Sequence, residues 1–377
     1  MVRFLASKRL ASDKMNVEPK FTYDKETETW SADFEEFDRE CEWYFNELKI
    51  RCAYLPGDWY CFGWGMPPRA RQGIEPYEGE WPYEGVDRSK LRPEFKKVYQ
   101  DKLRLMWNHL KEKGWDKKFV LYISDEPFYF QPHIIEQMKA CCSMIHEVDP
   151  NIPIYSSTWG HVPEWDGFIT AWGIGHYGRV PEEQIQKSKD RGDIIWWTTD
   201  GQMCTDTPFC ATERLLPYWC VKYGAEAYEF CGASWFTYDP YRYGWHSYIY
   251  QSDQPGVEYF VLYPNGDGYI FYPDKLLGVN EIVSSIRLEQ AREGVEDAAY
   301  IVLLRDEIQR VSALAELDEA GKKTLANAKN TLARVYDLVH IPNAGGRFTS
   351  HYLPNPEEVD EVKELVLHLI EELQKVR

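Results

Sequence analysis

Short runs rich in Val, Ile, Tyr, Trp and Phe recur along this chain at residues 50–55, 119–124, 152–157, 168–172, 194–198 and 229–235 and at Tyr259–Tyr263. Between many of them lie stretches of helical period, at residues 34–48, 91–112, 133–148 and 182–191 and at Ala211–Tyr223. Strand-like runs alternating with helix-like ones imply a parallel sheet carrying its helices outside. The expected fold is therefore α/β, a (β/α)8 TIM-type barrel. Seven runs are visible, so an eighth strand must lie near the N-terminus or inside the long loop 57–87. A doubly wound open sheet is the alternative. Against it, no GxGxxG or GxxxxGK loop opens a helix, which removes the usual nucleotide site of such a sheet.

Beyond about residue 273 the pattern changes. Segments 280–314, 320–340 and 356–376 are long, charged and helix-periodic, with few aromatics. The expected division is a barrel over 1–275 and a helical C-terminal extension over 276–377. A length of 377 residues accommodates one large core with such an appendage.

The charge balance narrows the partners. With 43 basic against 61 acidic side chains the net charge is −18, and no basic run interrupts it. Phosphate neutralisation needs a basic surface, so nucleic acid is not an expected partner. No stretch approaches a membrane span, and the N-terminal segment is too polar for a signal peptide. As the chain stands the expected location is cytoplasmic; removal of an upstream signal would make it secreted or periplasmic. Nine cysteines without a CxxC pair give no zinc-site spacing, and an odd count cannot close wholly into disulfides. Neither metal nor organic cofactor is expected. In contrast, an aromatic fraction of 15% is high. Flat rings cover the C–H faces of sugars while their polar edges still find partners, so a glycan is the expected ligand.

The sharpest local feature is Phe119-Val-Leu-Tyr-Ile-Ser-Asp-Glu-Pro-Phe128, a strand pattern ending in Asp125 and Glu126. Pro127 cannot extend a ladder, so the strand stops there. Barrel active sites sit at the C-terminal strand ends. Two carboxyls this close oppose joint ionisation, and raising one of them suits a general acid. Neighbouring side chains on a strand point oppositely, so the couplet cooperates only where the chain curls over the rim. Trp159, Tyr177, Trp197, Trp235 and Tyr238 follow other strands and are the expected substrate-binding rings. His161 and His176 are too far apart for a helical metal pair and read as structural.

Taken together, the Ser-Asp-Glu-Pro strand end, Ile194-Ile-Trp-Trp-Thr-Thr, the Leu215–Gly224 helix leading to Gly232-Ala-Ser-Trp-Phe, and the stretch from Asn265-Gly-Asp-Gly through Ser285-Ile-Arg-Leu-Glu289 to Asp297 resemble glycoside hydrolase family 123. That family comprises β-N-acetylgalactosaminidases. The resemblance implies a retaining, substrate-assisted reaction, in which the sugar's own 2-acetamido oxygen attacks the anomeric carbon. By the same resemblance Glu126 is the general acid/base, Asp125 orients the acetamido N–H, and Tyr155 or Tyr177 meets the acetamido oxygen. Asp267, Arg287 and Glu289 match family positions and read as structural. Family members carry an N-terminal β-sandwich, which this chain begins too late to contain. Two other readings stay open: a retaining glycosidase with a separate nucleophile, Glu229 or Asp239, and a glycan-binding barrel without turnover.

Overall fold

The computed structural model describes residues 1–12, 15–158, 160–174, 182–199, 210–230, 232–236, 239–242, 246–250, 259–263, 266, 268–273, 278, 281–340 and 354–377. Helix α1 (Val2–Ser7) precedes a hairpin of β1 (Lys20–Asp24) and β2 (Thr29–Asp33), and α2 (Glu35–Cys41) runs on into a π-helical turn, Glu42–Glu47. The α/β part then follows as β3 (Ala53–Tyr54), β4 (Phe62–Gly63), α3 (Pro93–Lys113), β5 (Phe119–Asp125), α4 (Pro132–His146), β6 (Ile154–Ser157), β7 (Ala171–Ile174), α5 (Glu182–Asp190), β8 (Ile194–Thr199), α6 (Ala211–Tyr223) and β9 (Ala227–Phe230). Local chemistry sets several boundaries. Proline occupies the first turn of α3 and α4, where its missing N–H costs nothing, and Gly114 and Gly224 close α3 and α6 in the left-handed conformation.

All ladders of the main sheet are parallel, in the order β3-β5-β6-β7-β8-β9, with β4 also paired to β5. Alternation along each strand separates two environments. On β5, Phe119, Leu121 and Ile123 join the main core beneath the helices, whereas Val120 packs inward with Tyr54, Tyr155, Ala171 and Trp196. The outer face is aliphatic and aromatic; the inner one is lined with tyrosines.

The sheet curls into a half-barrel, and this corrects the expected closed barrel of eight strands. The missing strand does lie in the loop 57–87, as β4, but it adds no new position. β3 pairs with β5 at Phe119 and Val120, and β4 takes up the same edge of β5 at Ser124 and Asp125. The run at Tyr259–Tyr263 is likewise a strand, β11, yet it pairs antiparallel with β10 (His246–Tyr250) in a separate hairpin. Among the described residues no ladder joins β3 to β9, and a cleft of about 810 Å³ opens along that side, lined in part by Leu5, Cys52, Ala53, Trp196, Ala227 and Glu229.

A short antiparallel pair, β12 (Phe271–Tyr272) with β13 (Val283–Ser284), leads into α7 (Ile286–Ser312), α8 (Glu319–Asp337) and α9 (Pro356–Lys375). Ser285 caps α7 by accepting from Leu288 N–H at 3.2 Å. These helices pack on α6 through a buried charge cluster. Arg214 Nε reaches Asp297 Oδ2 at 2.6 Å, Tyr218 donates to the same oxygen at 3.0 Å, and Lys363 of α9 lies 2.9 Å from Oδ1. Gly294 stands where α7 crosses α6; a Cβ there would overlap the carbonyl oxygen of Arg214. No helix among the described residues is long and apolar enough to cross a membrane.

Candidate active site

The inner face of the sheet places its polar groups in two tiers. The lower tier centres on Glu229 of β9. Tyr54 donates to its Oε2, Tyr155 donates to its Oε1, and Thr198 donates to Oε1 at 3.0 Å. Tyr155 and Thr198 are themselves 2.9 Å apart. This meeting of β6, β8 and β9 requires Gly173 on the strand between, since any Cβ there would overlap both hydroxyls. Burial, followed by the charge of Glu229, pushes Tyr54 and Tyr155 far above the ordinary phenol range. They are therefore permanent donors.

The upper tier is the couplet. Two irregularities of the backbone bring it together. First, the ladder between β5 and β6 slips between Tyr122 and Ser124, so that two steps on β5 match one on β6. This bulge puts Asp125 on the same side as Tyr122, which regular alternation would forbid. Consequently Asp125 Oδ1 accepts from Tyr122 at 2.8 Å and from Ser157 Oγ at 2.7 Å. Second, Glu126 has φ +41°, a left-handed conformation unfavourable for a side chain of this kind, and it stands before a proline. Strain of this sort is held by its surroundings: Glu126 N–H donates to Ser157 O at 3.0 Å, and Trp64 N–H donates to Asp125 O at 3.0 Å. The turn carries Glu126 off the line of the strand, and Trp64 Nε1 donates to Glu126 Oε2 at 3.2 Å.

Asp125 and Glu126 are both partly exposed, at the C-terminal end of β5. Tyrosines form the floor. Tyr122 stacks on Tyr54 with centroids 4.8 Å apart, and Tyr60 meets Tyr122 edge-on at 5.7 Å. Burial raises Tyr122 and Tyr60 well above the ordinary range, and the negative charge of Asp125 adds to both. Every described donor to Asp125 thus falls on Oδ1, leaving Oδ2 to meet whatever enters from the rim.

The structure treats the other expected residues unequally. Tyr155 is fully buried and committed to Glu229, one tier beneath the couplet. Trp197 is a correction: it is 1% exposed on the helix side of β8, stacked on Tyr223 of α6 at 5.9 Å, because odd positions of that strand face the helices. It cannot stack on a sugar from there. Trp235 is 41% exposed and anchored by its N–H to Gly268 O at 2.8 Å. Trp159, Tyr177 and Tyr238 lie outside the described residues, as do His176 and Asp267. His161 bonds Asp166 at 2.7 Å and packs on Trp172. Buried Arg287 donates to Tyr269 O at 3.2 Å and to Tyr272 Oη at 3.0 Å. Glu289 is held by Lys8, Ser284 and Arg292. Asp239 accepts two backbone N–H groups, from Tyr241 and Arg242, in a surface turn.

Sequence reasoning missed Tyr122 and Ser157 as site residues; Tyr60 and Trp64 are among the aromatics after strand ends that it groups as a pocket, without an individual role. The rung between Asp125 and Ser157 was implicit in the strand order, but the bulge that turns Tyr122 toward Asp125 leaves no mark in the pattern of residues.

A curled parallel sheet with helices outside and two adjacent carboxyls at its C-terminal rim defines the class, an α/β half-barrel with a polar cluster at the strand ends. The chain belongs to glycoside hydrolase family 123: the model described as "Glycoside hydrolase 123, catalytic domain" matches residues 13–304. Among solved structures, the chain is similar to a family 123 glycoside hydrolase from Clostridium perfringens, studied for the details of glycolipid glycan hydrolysis. Identity is 14% and the TM-score 0.55, over 94% of this chain and 58% of that one. The chain thus spans little more than half the length of that enzyme. A glycosyl hydrolase family 2 member from Bacteroides cellulosilyticus matches at 13% identity and TM-score 0.23, over 36% of this chain and 18% of that one. No curated protein matches.

Proposed function

We propose that the protein is a retaining, substrate-assisted glycoside hydrolase that removes terminal β-linked N-acetylgalactosamine, or a similar 2-acetamido sugar, from glycans. One observation carries this reading: the two carboxyls at the rim are adjacent and differently held, Asp125 at Oδ1 by Tyr122 and Ser157 and Glu126 at Oε2 by Trp64. An ordinary retaining enzyme needs carboxyls about 5–5.5 Å apart on opposite sides of the scissile bond. Neighbours in sequence suit a different division, in which Glu126 protonates the leaving oxygen and Asp125 Oδ2 takes the acetamido N–H while that group's oxygen attacks the anomeric carbon. Glu126 then deprotonates the water that opens the cyclic intermediate. Glu229 is a poor nucleophile in this setting, because three hydroxyls already occupy its oxygens.

The test is nitrophenol release from an aryl β-N-acetylgalactosaminide, with inhibition by a thiazoline mimic of the cyclised acetamido group. Glu126→Gln should lower the rate by about 10²–10⁴-fold on substrates with poor leaving groups and by much less on nitrophenyl ones. Asp125→Asn should harm both alike. Sugar binding without turnover would overturn the proposal, as would covalent trapping at Glu229.

A further inference from the structure

Immediately after the couplet the chain reads Pro127-Phe-Tyr-Phe130, and nothing assigned so far uses these rings. Phe130 is 61% exposed, the most exposed of the described large aromatic side chains. It is not loose. Its ring stacks on Phe128 with centroids 5.0 Å apart and planes 26° from parallel, and Tyr129 meets it edge-on at 6.2 Å. Phe128 N–H donates to Trp64 O at 3.1 Å, the same Trp64 whose indole N–H holds Glu126. Gln131 N–H closes the turn on Phe128 O at 2.9 Å, and Gly65 lies against the Phe128 ring. Trp64, Glu126 and Phe128 are thus linked by hydrogen bonds, and Phe130 stacks on Phe128 as a solvent-facing aromatic plate close in the chain to the carboxyl assigned as acid.

Position says what the plate meets. A general acid must touch the glycosidic oxygen, so the group beyond that oxygen, the leaving group, lies on the Glu126 side of the site, whereas the acetamido sugar lies toward Asp125. Aromatic rings exposed on that side have a chemical reason to be there if the leaving group is a pyranose, whose axial C–H bonds form an apolar face. Left bare, such a surface gains nothing.

We propose that Phe130, backed by Phe128 and positioned by Trp64, is the subsite for the leaving-group sugar, which makes the enzyme selective for glycans over simple glycosides. The inference rests on the functional reading above. The experiment compares kcat/KM of the full chain on methyl β-N-acetylgalactosaminide with that on a disaccharide carrying the same terminal sugar β-linked to a second pyranose. Phe130→Ala should lower kcat/KM on the disaccharide about three- to tenfold, mostly through KM, and leave the methyl glycoside unchanged. Phe130→Trp should restore the difference. Equal losses on both substrates, or none on the disaccharide, overturn the subsite. Failure of the wild-type protein to cleave either substrate would instead sink the functional reading itself, a separate outcome visible before any variant is made.

Discussion

Removing the Tyr122 hydroxyl tests the arrangement of the site most directly. Tyr122→Phe keeps the ring that stacks on Tyr54 and deletes one of two donors to Asp125 Oδ1. A hydrogen bond to a charged group contributes about 1.5–3 kcal/mol. Because Ser157 still holds the same oxygen at 2.7 Å, the lower part of that range applies, a loss of about 10- to 50-fold in kcat/KM at about 1.36 kcal/mol per tenfold. On the proposed mechanism Tyr122 acts through Asp125, whose part in it is to serve the acetamido group and not the leaving group. The loss should accordingly be the same on nitrophenyl and methyl glycosides, and affinity for the thiazoline mimic should weaken in parallel. Ser157→Ala removes the other donor without touching aromatic packing and should behave alike, while the double variant approaches Asp125→Asn. The measurements are steady-state kinetics on both substrates, with thermal denaturation to show that the variants fold. Rates within threefold of wild type for both single variants would refute the reasoning, as would losses that grow with the basicity of the leaving group.

Two further predictions concern what holds the frame. Asp297→Ala takes the buried carboxylate from Arg214, which is only 9% exposed and keeps Gln290 and Asp360, and from Lys363, which keeps Glu293, and should lower unfolding free energy by about 3 kcal/mol in urea titrations, the low end for breaking a buried pair; a change below about 1 kcal/mol would mean that the cluster does not fasten α6 to α7 and α9. Glu289 is pulled from its ordinary 4.5 to about 2, first by Lys8 and then by Ser284. A depressed carboxyl stabilises the fold above its ordinary value, and the contribution disappears as pH falls from about 4.5 toward about 2. Wild type should therefore lose melting temperature across that window more steeply than Glu289→Gln, and identical slopes would remove Glu289 from the account.

The parts of the fold that follow from period were legible in the sequence. β5, β6, β8 and α3 to α6 fall within a few residues of where hydrophobic spacing puts them, since each strand has one face on the helix layer and the other on the sheet's inner side, and each helix turns an apolar face to the sheet. Closure was not legible. Whether two short runs occupy successive positions or share one edge, as β3 and β4 do on β5, depends on pairing partners that a single strand's pattern does not contain. The same limit explains the site. Asp125 and Glu126 stand out because a proline ends their strand. Trp197, by contrast, looked like a rim aromatic, and only its parity on β8 shows that it belongs to the helix side. Tyr122 was hidden by the opposite error: a strict two-residue period places it across the sheet from Asp125, and the bulge reverses that.

Asp125 and Glu229 are both carboxylates on the inner face of one sheet, and they are held in different ways. Glu229 has donors on both oxygens, from three strands, and Gly173 leaves the space that lets them meet. Its charge is matched from within, so it ties the free ends of a half-barrel together by side chains where β3 and β9 make no backbone ladder. Asp125 receives its two donors on a single oxygen, which fixes the carboxylate's direction without consuming its capacity to accept. A carboxylate that meets its described donors at one oxygen alone keeps a fixed direction and an accepting oxygen to which no described residue donates. The irregular backbone points the same way. A bulge and a left-handed glutamate before proline both add strain at the end of β5, and neither improves the packing of a core that lies on the other side of the strand. What they accomplish is to set Asp125 beside Tyr122 and Ser157 and to turn Glu126 off the strand toward Trp64, which ties it to the aromatic turn that follows.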